Sequence, residues 1–200
     1  DSVKKISDQI RLIKARNSVA ETAEMKWGKA SPSKNQLFQD LINYFFDEKD
    51  LRFRGLVICD KSCLSHEAFG QSHDLWRFEM LYPILSPLDA YDIYLNVTDT
   101  HANESAKKLH EACLNSTFEF SPHVINKVQP VRSGEIQVMQ ILDILIGALG
   151  YNSRAFSENH EKSIAKARNV DLIKKRSGYS MDKSTLLREE KLNMFFWKVR

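Results

Sequence analysis

The strongest hydrophobic pattern in the chain is the stretch Ile136–Gly150, IQVMQILDILIGALG, where nearly every position is apolar. A surface helix would return a polar face at each turn, so this stretch predicts a helix buried on most sides. Its polar side chains, Gln137, Gln140 and Asp143, recur every third residue and form one narrow stripe. Gly147, one turn beyond Asp143, keeps that stripe low and lets a backbone or a ligand come close. An isolated carboxylate in such surroundings is costly, and a cationic partner, protonation or a metal ion relieves it.

Weaker patterns predict the other elements. Val3, Ile6, Ile10 and Ile13 lie at helical spacing within Val3–Arg16, with Lys and Arg between them, as in an amphipathic helix. Ala23–Trp27 alternates, Met25 and Trp27 against Glu24 and Lys26. It reads as a short strand ended by Gly28 and Ser31-Pro32, with Glu24 and Lys26 on one face. Ser33 is placed to cap a helix over Asn35–Phe46, whose apolar side chains share a face. Arg52–Asp60 is apolar on both faces around Leu56-Val57-Ile58-Cys59, as expected of a strand inside a covered sheet. Ser72–Leu85 is a further helix stopped by prolines. Tyr91–Asp99 alternates with period two and reads as a strand. Asn103–Leu114 is helical, and a connector with Pro122 and Pro130 leads to the buried helix. Beyond Tyr151 the expectation is a basic helix over Glu158–Lys175, a loop over Arg176–Ser184, and an apolar end, KLNMFFWKV, that must dock on the body.

Helices alternating with strands predict an α/β layered domain, in which ligands gather at the carboxyl ends of parallel strands. Asp60 and Asp99 stand at such ends, and Asp143 comes from a helix that must pack on the sheet. Clustered carboxylates repel unless a divalent cation neutralises them. Their hard oxygens point to Mg²⁺ or Mn²⁺, ions that serve displacement at a phosphodiester. No phosphate loop or Gly-rich dinucleotide turn competes.

Composition changes this picture only slightly. Hydrophobic content of 42% and charged content of 28% are those of an ordinary globular chain. No apolar run is long enough to span a bilayer, and the first residues show no signal-peptide core. Three cysteines without framework spacing suggest a reducing, cytoplasmic setting. Cys59, Cys63 and His66 lack a fourth ligand for zinc. The net charge of +3 is uneven: residues 151–200 hold 12 basic and 6 acidic side chains, a balance of +6. Residues 1–150 hold the remaining 17 basic and 20 acidic, a balance of −3. Such an asymmetry fits either a solvated tail or a polyanionic partner, whose contacts would be Arg154, Lys162, Lys166, Lys174, Lys175 and Arg176.

Four blocks carry a resemblance: AEMKWGKAS, LVICDK, SGEIQVMQILDILIGALGY and KLNMFFWKV. Together they resemble the domain-of-unknown-function 3800 proteins, a bacterial family thought to have an RNase H-like fold and found in defence or mobile-element contexts. The resemblance implies an RNase H-like mixed sheet flanked by helices over residues 1–151, and a basic helical extension over residues 152–200. It also implies a metal-dependent nuclease acting on DNA or RNA. Glu24, Asp60 and Asp143 match the family's acidic positions, as catalytic residues and ligands of Mg²⁺ or Mn²⁺, with Lys26 and Gln140 beside them. Asp99 joins the ligand set from its place at a strand end. The family opens with a strand bearing Asp-Glu-Ser-Gly, which these 200 residues do not contain and which is expected upstream. The alternative function is a non-catalytic RNase H-like module that binds a protein partner.

Overall fold

Helix α1, Ser2–Arg16, buries Ile6, Ile10 and Ile13 as its periodicity predicts, and buries Lys14 with them. It ends in the tight turn a helix needs to satisfy its last carbonyls. Ser18 takes the left-handed conformation, φ 57°, and the N–H of Val19 donates to the Lys14 carbonyl at 2.9 Å. The computed structural model describes residues 2–58, 90–96, 107, 125–154 and 163–197. The helices expected over Ser72–Leu85 and, apart from Lys107, Asn103–Leu114 fall outside the described residues, as do Asp60, Asp99 and Lys162.

The chain divides into two compact units, residues 1–61 with 136–200, and residues 62–135. In the first, helix α2 spans Asn35–Asp47 and buries Leu37, Phe38, Leu41, Ile42 and Phe45. Its start differs from expectation: Pro32–Lys34 forms a 3₁₀ turn, and Lys34 precedes the helix without a side-chain cap. The Ser33 hydroxyl instead meets that of Ser31 at 3.1 Å. Helix α3, Gln137–Arg154, is the long buried helix, and it continues unbroken through position 151. Helix α4, Ile164–Ser177, starts at Ser163, whose hydroxyl accepts from the Lys166 N–H, and stops at Gly178, φ 74°. It takes in Arg176 and Ser177, where a loop is expected; residues 158–162 of the expected helix lie outside the described residues.

Strand β1, Phe53–Ile58, pairs in parallel with strand β4, Leu192–Trp197, from Phe53 opposite Leu192 to Ile58 opposite Trp197. The aromatic C-terminal block therefore docks as a strand, and α3 packs on β1. Lys191 anchors the start of β4 to the end of α2: its ammonium donates to the Glu48 carbonyl at 2.6 Å and the Leu51 carbonyl at 2.5 Å. It also lies over the Phe45 ring, 4.4 Å from the centroid. The far edge of β4 is closed by side chains, with the N–H of Met194 donating to Thr185 Oγ1 at 3.0 Å and that of Phe196 to Ser184 Oγ at 2.9 Å. β1 was expected in the middle of a sheet; among the described residues it has one neighbour, β4. One hydrophobic core joins α1, α2, α3, α4, β1 and β4.

In the second unit, strand β2, Tyr91–Asn96, pairs in parallel with strand β3, Ile125–Val131. The alternation of β2 holds, Tyr91, Ile93 and Leu95 half-buried and Asp92, Tyr94 and Asn96 exposed. β3 lies in the segment expected as a connector. Its polar INKVQPV pattern and Pro130 hide it, since a proline withholds a ladder donor and is tolerated only at sheet edges. The architecture is thus mixed α/β with small parallel sheets. No described helix is long and apolar enough to cross a membrane.

Candidate functional site

The polar stripe of α3 faces the segment that joins α1 to α2. Gln140, 1% exposed, accepts from the backbone N–H of Met25 through Oε1 at 3.0 Å. Asp143 accepts from the N–H of Trp27 through Oδ2 at 2.7 Å. Trp27 opens a 3₁₀ turn, Trp27–Lys29, so Asp143 supplies from another element the acceptor that a first-turn amide lacks.

These bonds correct the strand expected at Ala23–Trp27. Its alternation is real: Met25 and Trp27 are buried, Glu24 is half-buried and Lys26 is exposed. Yet the segment joins no sheet, because the amides of Met25 and Trp27 are taken by side chains of α3. Gly147 makes the approach possible. A Cβ there would fall on Cβ and Cγ of Trp27 and lie 2.7 Å from its Cδ1. The Trp27 ring then meets Tyr151 edge-on, with centroids 6.0 Å apart.

Lys14 completes the arrangement. Its ammonium donates to the carbonyls of Glu21 and Ala23 at 3.2 and 2.8 Å, and to Gln137 Oε1 at 2.7 Å. Gln137 Oε1 also accepts from Gln140 Nε2 at 3.3 Å. Three donors meet three acceptors, so no N–H of the ammonium is orphaned. Burial, and then the Arg11 charge, bring the Lys14 pKa down from 10.5 to about 8, against the pull of Glu21 and Glu24. The sequence carried a signal for this residue: Lys14 follows Ile10 by one turn and adjoins Ile13, which sets it on the apolar face.

Two of the four expected acidic positions are therefore described. Glu24 is paired with Lys26 at 3.1 Å, and Asp143 is bound to an amide. Of the reliefs expected for Asp143, the cationic partner is not found among the described residues; the Trp27 amide meets its carboxylate instead. No three His, Cys, Asp or Glu side chains among the described residues stand together as a metal-binding group. Carboxylate oxygens are the hard donors that Mg²⁺ and Mn²⁺ take, and in chemistry alone Glu24 and Asp143 are of that kind. Asp60 and Asp99, the others expected, lie outside the described residues.

The expected phosphate contacts are unequally placed. Arg154 and Lys175 are exposed, and Lys166 and Lys174 are half-buried. Arg176 is engaged with α2: it donates to Asn43 Oδ1 at 3.0 Å and Asp47 Oδ1 at 2.6 Å. It also stacks over Phe46 at 5.4 Å.

The Asp143–Trp27 bond predicts a measurable structural role. Asp143→Ala leaves the first amide of the 3₁₀ turn without its acceptor and should cost about 1–2 kcal/mol, as loss of a helix cap does. Asp143→Asn keeps a carbonyl oxygen there and should cost distinctly less. An Asp143→Ala protein as stable as wild type in chemical denaturation would show that the bond contributes nothing. No known protein family, curated protein or solved structure matches the chain.

Proposed function

We propose that the chain belongs to an RNase H-like, metal-dependent nuclease that hydrolyses phosphodiester bonds of DNA or RNA. The observation that supports this reading is the union of the Glu24 segment with the Asp143 helix: Trp27 and Asp143, 116 positions apart, are directly bonded. Glu24, Asp60 and Asp143 would hold Mg²⁺ or Mn²⁺, an ion that supplies activated water and offsets charge on the phosphate. Gln140 fixes the Met25 amide next to Glu24, and Lys26 balances the Glu24 charge. Lys162, Lys166, Lys174, Lys175 and Arg154 would contact phosphates, while Arg176 serves mainly to bind α4 to α2.

A second reading, a non-catalytic RNase H-like module that binds a protein partner, is favoured by one fact. Asp143 already has an amide partner and so has a purpose without a metal. Calorimetry with Mn²⁺, together with cleavage assays on DNA and RNA, separates the two. Under the nuclease reading the protein binds the ion and cleaves, and Asp143→Asn, still folded, loses both. A wild-type protein that neither binds Mn²⁺ nor cleaves would leave the partner-binding reading in its place.

The role given to the basic residues predicts a salt dependence. Each duplex phosphate neutralised contributes about 0.9 to the slope of log affinity against log salt. Reversing Lys174 and Lys175 to Glu should flatten that slope by about 1–2. A slope that does not change would show that this end of α4 is merely solvated.

A further inference from the structure

We infer that Lys14, through Gln137, is a positioning residue for the acidic pair, holding the segment that carries Glu24 against the helix that carries Asp143. This inference rests on the nuclease reading above. Glu24 sits between two clamped neighbours. On one side the Ala23 carbonyl accepts from Lys14 at 2.8 Å; on the other the Met25 amide donates to Gln140 at 3.0 Å. Gln137 Oε1 closes the ring by accepting from both Lys14 and Gln140, at 2.7 and 3.3 Å.

The ring joins three stretches of chain, namely α1, residues 21–25 and α3. Residues 21–25 make no sheet ladder, so their backbone is located by these few bonds and by the burial of Met25 and Trp27. Lys14 is 0% exposed, and an apolar side chain of the same length would fill its space without the cost of desolvating an ammonium. What the ammonium adds is direction: its donors fix two carbonyls just before Glu24 relative to one side chain of α3. Groups behind a metal ligand that fix its orientation typically change metal affinity by about 10–100-fold when removed.

The test compares wild type with Lys14→Met, which keeps the length, and with Gln137→Leu, which breaks the link to α3 but leaves the two backbone bonds. Amide hydrogen exchange in metal-free protein reads the clamp directly. Met25 and Trp27 should exchange about 10-fold faster or more in the variants, while Phe38 and Leu41 in α2 are unchanged. Calorimetric Mn²⁺ affinity should fall by about 10-fold. The Mn²⁺ concentration for half-maximal cleavage should rise to match, with the rate at saturating metal nearly preserved. Exchange that does not change overturns the clamp. Faster exchange with unaltered Mn²⁺ affinity overturns the positioning role and leaves Lys14 a structural residue only. If wild type binds no Mn²⁺, the nuclease reading itself fails, and the exchange data alone then show whether the ring holds the segment. Should Lys14→Met not fold, Gln137→Leu gives the same readings.

Discussion

Gly147→Ala is expected to destabilise the protein by about 2–3 kcal/mol, although alanine is the better helix former. In an open helix interior the exchange would gain about 1 kcal/mol. Here the added Cβ falls on Cβ and Cγ of Trp27. Those atoms stand next to the backbone and cannot swing aside as the end of a long side chain would. Trp27 is also fixed by the Asp143 bond to its amide and by burial against Tyr151, so relief requires moving the whole segment. Overpacking of this kind commonly costs about 1–3 kcal/mol, and loss of the neighbouring bonds adds to it. The control is Gly150→Ala in the same helix, where the nearest atom is the Arg154 guanidinium nitrogen at 3.3 Å. A flexible tip gives way, and that variant should gain up to about 1 kcal/mol. Denaturant titration of the two variants checks the contrast; a stable Gly147→Ala protein would mean that Trp27 does not lie on the helix.

The stability of wild type relative to Lys14→Met should rise as pH goes from about 8 to about 10.5. Lys14 has its pKa lowered to about 8 in the folded protein, chiefly by burial, against 10.5 for an ordinary lysine. Below about pH 8 folded and unfolded chains both carry the proton, and the contribution is constant. Between the two values the unfolded chain binds more protons than the folded one, so stability from this group rises with pH. Above 10.5 it levels off. The gain is on the order of 3 kcal/mol at most, set against the general weakening of proteins in alkali, which the variant shares. A neutral amine keeps two N–H donors for its three acceptors, so the clamp loosens by one bond without dissolving. Parallel denaturation series of the two proteins read the difference directly; a flat difference would show that the buried ammonium holds its proton as firmly as a free one.

How far the sequence disclosed the fold differs from element to element. In α1, α2, α3 and β2 the apolar period is long and uninterrupted, and each forms where it was expected, within a few residues. β3 was hidden because its polar residues and Pro130 imitate a connector, and only pairing with β2 makes it a strand. Glu158–Lys175 reads only as a basic helix because its charges dominate the pattern. The described helix, α4, instead buries Ala165, Asn169, Val170 and Ile173 and commits Arg176 to Asp47. Lys14 shows the same lesson in one residue. Its spacing set it on the buried face, yet its charge argued for water, and three acceptors, two carbonyls just beyond α1 and Gln137 from α3, resolved the conflict.

The candidate site divides in the same way. The sequence by itself determined that Gln137, Gln140 and Asp143 form one stripe, that Gly147 admits a close neighbour, and that Met25 and Trp27 face opposite to Glu24 and Lys26. These are consequences of period, and period is a local property of the backbone. Only the tertiary structure decided that the stripe binds the amides of Met25 and Trp27, that Trp27 is the neighbour of Gly147, and that Lys14 ties the pieces together. A hydrogen bond needs its donor and acceptor within about 3 Å of each other, and here the partners lie more than a hundred residues apart in the chain. Periodicity tells which way a side chain points; the folding of α1 and α3 against the same segment decides what it meets.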